Sequence, residues 1–233
     1  MNLEKYRQYS RIARGMEDAD LVLKDARIVN VFTEEIIRGD IAIQDGIIAG
    51  IGSFHGKEER NLAGKYVCPG FIDSHLHLES TLVTPAELVT VASRHGTTTF
   101  IVDPHESANV SGLKGIDYIL EQTENVKANV YVMMPSCVPA TSIDDNGCTL
   151  TAEDMAPYLH NSRILGLGEV MDSISVVQGD KAMHDKLELF EGRIRDGHAP
   201  FLEEGDLQAY AMAGIATDHE CSFFDYAMRE RRN

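Results

Sequence analysis

Phe71-Ile-Asp-Ser-His-Leu-His77 is the segment of this 233-residue sequence that most clearly indicates its fold. It predicts a β-strand, and because side chains alternate along a strand, His75 and His77 lie on the same face. The apolar run Thr97-Thr-Thr-Phe-Ile-Val-Asp103 is rich in β-branched residues, as is typical of a buried parallel strand. Between them, Thr84-Pro-Ala-Glu87 carries an N-cap residue followed by proline, which predicts the start of a helix. Strand, helix and strand together indicate a parallel sheet built from βα units.

The same alternation of strands and helices continues to the end of the sequence. Six strands are predicted, around residues 73, 100, 131, 167, 197 and 217. A (β/α)8 barrel needs eight strands, so we expect an α/β protein with an incomplete (β/α)8 TIM-type barrel of about six βα units. The first and sixth strands of such a barrel would keep unpaired backbone groups, so we also expect self-association into a homo-oligomer.

The first 70 residues follow a different pattern and predict a small antiparallel β domain. Short strands are expected at residues 21–31, 40–44 and 46–51. Asp45-Gly46, between the last two, is a strong signal for a two-residue hairpin turn. The charged run Lys57-Glu-Glu-Arg60 is interpreted as a polar break before another strand that begins at Lys65. We therefore divide the chain into an N-terminal segment and small β domain, residues 1–70, and a barrel domain, residues 71–233, that is truncated after its sixth strand.

The charge balance of the chain excludes several classes of partner. Acidic residues outnumber basic residues by 37 to 21, which gives a formal net charge of -16. Such a surface repels phosphate backbones and anionic lipids, so binding to nucleic acid or to a membrane is not expected. The 4 cysteines are scattered without a C-x-x-C pair, which indicates free thiols in a reducing compartment. Because no apolar run near the N-terminus resembles a secretory signal, we expect a cytoplasmic protein.

Metal-binding side chains recur where the predicted barrel strands end, and barrels of this kind build their sites at those ends. His75 and His77, two imidazoles on one strand face, can chelate a divalent ion, although this pattern alone is weakly specific. Glu169, His198 and His219 each end a later strand. Taken singly, each of these could equally be a capping or solvated polar residue. Together, four histidines and one carboxylate form a ligand set for one or two divalent metals such as zinc, manganese or iron.

Two further carboxylates lie at the same predicted rim. Glu79 follows the first histidine pair, and Glu106 belongs to Asp103-Pro-His-Glu106, which ends the second strand. Either glutamate can be a proton carrier, an additional ligand or an ordinary loop residue, and these three options remain open. Cys137 also follows a predicted strand, but without a partnered base it is not predicted to be a nucleophile.

Several short motifs, taken in order, resemble one protein family. They are His75-Leu-His-Leu-Glu-Ser-Thr, Asp103-Pro-His-Glu, Met134-Pro-Ser-Cys-Val-Pro-Ala-Thr, Gly168-Glu-Val-Met, Asp196-Gly-His-Ala-Pro and Thr217-Asp-His-Glu-Cys. This set is similar to that of the bacterial adenine deaminases, within the amidohydrolase superfamily, and it extends over nearly the whole chain. The resemblance implies hydrolysis of adenine, the small-molecule substrate, to hypoxanthine and ammonia in purine salvage. It also implies a binuclear centre of Mn²⁺ or Fe²⁺, with Zn²⁺ as an alternative.

The resemblance also implies roles for the strand-end residues. His75 and His77 would bind one metal ion. His198 and His219 would bind the second, and Glu169 would bridge the two. One of the two rim glutamates would move protons to the leaving amine. The superfamily places a further aspartate, a ligand and general base, at the end of the eighth strand, which these 233 residues do not include. We therefore expect this chain by itself not to deaminate adenine at an enzymatic rate.

Two other interpretations remain open. Another cyclic amidohydrolase, such as a dihydroorotase-like or imidazolonepropionase-like enzyme, would use a similar set of strand-end ligands. Many of those relatives have a carboxylated lysine as the bridge, whereas this chain has Glu169, which favours the deaminase. Alternatively, the chain is an inactive metal-binding fragment that associates with a partner chain. The coding sequence after Asn233 would discriminate between these interpretations.

Overall fold

The turn Asp45-Gly46 joins two antiparallel strands, as the sequence predicts. In the computed structural model, which describes residues 1–141 and 143–233, Asp45 and Gly46 have φ angles of 51° and 74°. Both angles lie in the left-handed region that a tight hairpin requires. Helix α1 (Leu3–Ala13) precedes strand β1 (Ala19–Asn30). Strand β1 pairs with β2 (Glu35–Gln44), and β2 pairs with β3 (Ile47–Gly52), both antiparallel.

The N-terminal sheet is mixed, so the prediction of an antiparallel domain was only partly right. Strands β4 (Gly56–Asn61) and β5 (Tyr66–Val67) both pair in parallel with β1, on the edge that β2 leaves free. The charged run Lys57-Glu-Glu-Arg60, predicted as a polar break, lies inside β4. An edge strand tolerates such a run because most of its side chains are in solvent.

A buried carboxylate links β1, β2 and the residues after β3 in the first compact unit, Met1–Pro69. Asp40 is 8% exposed and accepts hydrogen bonds from Lys24 Nζ at 2.6 Å, from the Asp25 N–H at 3.0 Å and from the Phe54 N–H at 3.2 Å. Burial alone would raise the pKa of this carboxyl. The three hydrogen bonds and the Lys24 charge outweigh burial, so the pKa of Asp40 lies below its ordinary value.

We expect Asp40→Asn to destabilise this unit by about 3 kcal/mol, because a partly buried ammonium group loses its counter-charge. Since the pKa of Asp40 is lowered in the native state, its stabilising contribution is present at neutral pH. That contribution is lost as the pH falls below the usual aspartate pKa of about 4. Glu58→Gln, which breaks the exposed pair with Arg60, should cost less than about 1 kcal/mol. Urea unfolding in neutral and acid buffer measures these differences. Equal free energies of unfolding for Asp40→Asn and the parent at neutral pH would contradict the prediction.

The second compact unit, Gly70–Asn233, contains a parallel sheet of 5 strands within the described residues. Its strands, in spatial and sequence order, are β6 (Phe71–Leu76), β7 (Thr97–Val102), β8 (Asn129–Met134), β9 (Ile164–Val170) and β10 (Ile194–Gly197). Each strand pairs in parallel with the next one along the chain. This order is that of successive βα units in a barrel, so the predicted α/β class with an incomplete (β/α)8 barrel is confirmed.

The sixth predicted strand is reduced to a single bridge. Over the part of the chain that the structure describes, Thr217 forms an isolated parallel bridge with Asp196 at the end of β10. The next residue, Asp218, uses its side chain to accept the Ala199 N–H at 2.8 Å, where a continuing strand would use its backbone. The bridge still places His219 beside the end of β10.

Helices follow each strand of this sheet along the chain. They are α2 (Pro85–Ser93), α3 (His105–Ser111), α4 (Leu113–Gln122), α5 (Ala152–Met155), α6 (Ser173–Gln178), α7 (Lys181–Leu189), α8 (Glu204–Met212) and α9 (Phe224–Glu230), with short 3₁₀ helices at Glu79–Thr81 and Ala156–His160. One core joins the two layers and includes Phe100, Ile116, Leu167 and Phe190. Burying each such side chain contributes about 1.5–3 kcal/mol to stability. Because the core joins strands and helices, it holds the strands, and with them the strand ends, in fixed positions. Among the described residues, we find no helix with the length and apolar character required to cross a bilayer.

Candidate metal centre

The five predicted metal ligands meet at the carboxyl ends of the strands in the second unit. His75 lies in β6 and His77 follows that strand directly. Glu169 lies in β9, His198 follows β10, and His219 follows the isolated bridge. Because all strands of the sheet are parallel, these ends lie on the same side, and residues far apart in sequence come together.

Glu169 is the centre of this cluster and is only 3% exposed. Its Oε1 atom lies 2.9 Å from His75 Nε2 and 2.8 Å from His77 Nε2. Its Oε2 atom lies 3.0 Å from His198 Nδ1 and 3.8 Å from His219 Nε2. Each carboxylate oxygen therefore faces one pair of histidines, and the two halves of the cluster share one carboxylate.

The outward nitrogens of the first histidine pair determine which ring atoms face Glu169. His75 Nδ1 lies 3.1 Å from Asp196 Oδ2, and His77 Nδ1 lies 2.8 Å from the carbonyl oxygen of Asp103. Since a carboxylate and a carbonyl oxygen only accept, both Nδ1 atoms carry the hydrogen and donate it. Partners of this kind fix the tautomer and orientation of metal-binding histidines. In neutral rings, both Nε2 atoms then direct lone pairs toward Glu169.

The lone pairs of His75 Nε2, His77 Nε2 and Glu169 Oε1 therefore converge on one point. Because lone pairs repel one another, this arrangement requires a positive charge between them. His75 Nε2 and His77 Nε2 are 3.0 Å apart, and both approach the same oxygen of Glu169. Burial would lower the pKa of His75, but the hydrogen bonds to Asp196 and Glu169 outweigh it and raise that pKa to about 10. The hydrogen bond to Glu169 raises the pKa of His77 to about 9. The pKa of Glu169 is held far below its ordinary value by its histidine partners, although its burial opposes this. The protein thus stabilises cationic charge beside Glu169.

The donor set fits a divalent transition metal. The three separations around Glu169 Oε1, from 2.8 to 3.0 Å, are at the short end of the spacing of about 3.0–3.4 Å between adjacent ligands whose bonds to a metal are about 2.1 Å long. Imidazole nitrogens with a carboxylate suit zinc, manganese and iron. In the second half, His198 Nδ1 lies 3.0 Å from Glu169 Oε2, but within the described part of the chain it makes no hydrogen bond of good geometry with that oxygen or with any other atom. Both halves therefore offer donors that a cation would satisfy.

Two side chains that support this cluster, those of Asp196 and His105, were not assigned a role from the sequence. Asp196 orients His75, and His219 stacks on His75 with ring centroids 3.7 Å apart. His105 stacks on His77 at 4.5 Å, and its Nδ1 lies 2.9 Å from Cys137 Sγ. Burial raises the pKa of the Cys137 thiol well above its ordinary value, which keeps the thiol protonated. Asp196 and His105 stand within two residues of predicted site residues, but their contacts depend on pairing between strands.

The two rim glutamates lie together but have different surroundings. Glu79 Oε1 accepts the backbone N–H groups of Glu106 and Ser107, at 3.1 and 3.2 Å, at the start of α3. Burial raises the pKa of Glu79 to about 7. The carboxylate of Glu106 is half-exposed and lies 3.9 Å from the rings of His77 and His105. Both glutamates line a cavity of about 620 Å³ beside α3.

The chain belongs to the amidohydrolase family, whose sequence profile matches residues 66–231. Curated relatives within this group are named adenine deaminases. The chain is 57% identical over 233 residues to the adenine deaminase of Desulfitobacterium hafniense strain Y51, which covers 100% of this chain and 41% of that protein. It is 49% identical over 223 residues to the adenine deaminase of Clostridium acetobutylicum, which covers 95% and 39%. The resemblance found in the motifs is confirmed, and the chain spans about two fifths of the length of these relatives.

Solved structures share the architecture of the chain at low sequence identity. N-acyl-D-glutamate deacylase from Bordetella bronchiseptica, complexed with zinc and a phosphonate inhibitor, gives a TM-score of 0.61 at 17% identity, covering 86% of this chain and 51% of that one. Atrazine chlorohydrolase from Arthrobacter aurescens TC1, complexed with zinc, gives 0.53 at 15% identity, covering 91% and 67%. At these identities the likeness concerns the fold alone.

Proposed function

We propose that this chain carries the metal centre of an adenine deaminase, which hydrolyses adenine to hypoxanthine and ammonia in purine salvage. The observation that carries the proposal is the convergence of two histidine pairs on the two oxygens of one buried carboxylate. The substrate is inferred from the names of the relatives, whereas the metal centre is inferred from the geometry.

The two halves of the cluster are assigned to two divalent cations. His75 and His77 would hold the first, and His198 and His219 would hold the second. Glu169 would be shared by both, since one of its oxygens faces each histidine pair. This donor set suits Mn²⁺, Fe²⁺ or Zn²⁺. Cations bound there would supply Lewis acidity and an activated water near neutral pH.

Glu106 is the residue that we assign to proton transfer. Deamination replaces the amino group at C6 of adenine by oxygen, and the amino group needs a proton before it leaves as ammonia. The carboxylate of Glu106 lies at the edge of the cluster, 3.9 Å from His77, and it is half-exposed to the cavity. Glu79 accepts the N–H groups at the start of α3 and thereby positions Glu106.

Glu106→Gln is expected to lower kcat by about 10²–10⁴-fold, the usual contribution of a general acid or base. Metal content should not change, because Glu106 is not among the nearest neighbours of Glu169. Glu79→Gln should lose less activity, since its amide oxygen can still accept the two N–H groups. The measurements are ammonia release by the full-length protein and metal content after dialysis, with Glu87→Gln on the exposed face of α2 as the control. A parental kcat in Glu106→Gln would exclude it as the proton carrier.

The proposed function is tested directly with the full-length protein loaded in turn with Mn²⁺, Fe²⁺ and Zn²⁺. Ammonia release from adenine is compared with turnover of guanine, cytosine and dihydroorotate at matched concentrations. Preferred turnover of adenine would support the proposal. Preferred turnover of dihydroorotate would favour another cyclic amidohydrolase, and no turnover of any of these compounds would contradict the assignment of adenine.

A further inference from the structure

Asp103 is an almost completely buried carboxylate, 1% exposed, that contacts two residues of the proposed metal centre. It follows β7 directly. Its Oδ2 atom accepts the backbone N–H of Glu169 at 2.8 Å. Its backbone carbonyl accepts the hydrogen of His77 Nδ1 at 2.8 Å. Asp103 therefore contacts two of the proposed metal ligands, Glu169 in β9 and His77 at the end of β6, although it is not itself a proposed ligand.

The glycine before Glu169 leaves the space that this contact needs. A Cβ atom placed on Gly168 would overlap the carboxylate of Asp103, with the Asp103 Cγ only 2.7 Å away. All three of its nearest neighbours would be atoms of the Asp103 side chain. Glycine at 168 is thus the condition for Asp103 to reach the Glu169 N–H. Asp103 and Gly168 both belong to the motifs that carry the family resemblance, and the metal ligands alone do not account for either of them.

The carbonyl side of Glu169 has a second support. The hydroxyl of Ser136 donates to the Glu169 carbonyl oxygen. Lys186, which is 8% exposed, donates from Nζ to the Ser136 carbonyl at 2.7 Å. The N–H and the C=O of Glu169 are therefore both held by buried side chains, and these bonds fix the backbone from which its carboxylate projects.

We propose that Asp103 is a positioning residue, which aligns Glu169 for cation binding through the Glu169 N–H and depends on Gly168 for its own place. This inference rests on the metal centre of the proposed function. Partners that orient metal ligands typically change metal affinity by about 10–100-fold, and Asp103 acts on the residue that both halves of the centre share.

The first test is the affinity of the purified protein for Mn²⁺ and for Zn²⁺, measured by competition with a chelator and without substrate. Asp103→Ala is expected to weaken both affinities by about 10–100-fold. Asp103→Asn should recover most of this loss, because the amide oxygen can still accept the Glu169 N–H. Asp40→Ala is the matched control, since Asp40 is also buried and accepts two backbone N–H groups but lies in the first unit. It should lower the Tm and leave the metal affinity of the protein unchanged.

The second test is a double-mutant cycle with Gly168. Gly168→Ala is expected to weaken metal binding as Asp103→Ala does, because its methyl group displaces the carboxylate. In the double variant that methyl group meets no carboxylate, so the loss should not exceed that of Asp103→Ala alone. Additive losses would overturn the coupling of the two residues.

Parental metal affinity in Asp103→Ala would overturn the positioning role. If Asp103→Ala does not fold, Gly168→Ala decides, and parental affinity in that variant would overturn the proposal. These outcomes are distinct from failure of the proposed function, which is a failure of the parent protein to turn over adenine.

Discussion

Glu169→Gln is expected to weaken the binding of both cations by more than about 100-fold. Orienting partners of metal ligands already change affinity by up to about 100-fold, and Glu169 is the proposed direct bridge. The amide has one neutral oxygen in place of the two anionic oxygens of the carboxylate. Neither histidine pair then keeps a negatively charged oxygen with which to bind a cation. One of the two histidine pairs would then face an NH₂ group where a carboxylate oxygen stood.

Metal content after dialysis and chelator competition both measure this effect. Asp172→Asn is a suitable control because Asp172 also follows β9, yet its carboxylate caps α6 by accepting the Ser175 N–H at 3.0 Å. It should keep parental metal content. If Glu169→Gln retains metal at the parental level, then Glu169 is only a polar residue at a strand end.

His75→Ala combined with His77→Ala is expected to reduce metal content from about two ions per chain to about one or fewer, because a transition-metal site rarely holds its ion after losing two ligands. His198→Ala combined with His219→Ala should remove the other ion. The four-fold variant should hold none. The two pair variants test separately the two halves that the oxygens of Glu169 define.

Elemental analysis of the dialysed proteins gives the stoichiometry. His95→Ala combined with His160→Ala removes two exposed histidines that lie outside the cluster, and it should leave metal content unchanged. Equal metal content in the His75/His77 variant and in the parent would refute the assignment of that half.

The main features of the fold and of the cluster were predictable because their signals are local. The alternation of His75, Leu76 and His77 places both imidazoles on one face, and apolar runs that end in polar residues mark the carboxyl ends of parallel strands. Once those strands are placed in a barrel, the rule that sites lie at the carboxyl ends brings Glu169, His198 and His219 to the same place. No information on pairing between distant residues was needed for this step.

The features that sequence reasoning missed depend on pairing between strands. Asp196 contacts His75 only because β10 and β6 present their ends to a common centre. The parallel addition of β4 to β1 could not be deduced from a charged run, because an edge strand can be as polar as a loop. The length of the sixth strand was overestimated. An apolar run predicts a strand, but it does not show how many of its residues pair with a neighbouring strand.

The long sequence separations within the centre have a consequence for the order of events in folding. His75 and Asp196 are 121 residues apart, and Asp103 and Glu169 are 66 apart. Contacts across such distances form late, because the chain entropy lost in closing the loops must first be overcome. A chain in which β6 to β10 are not yet assembled therefore has no centre to offer a cation. The cation therefore binds only the folded protein, in which the sheet is assembled. Free metal at 100 times its Kd then adds about 2.7 kcal/mol to the free energy of unfolding. The cation would slow unfolding and leave the rate of folding as it is.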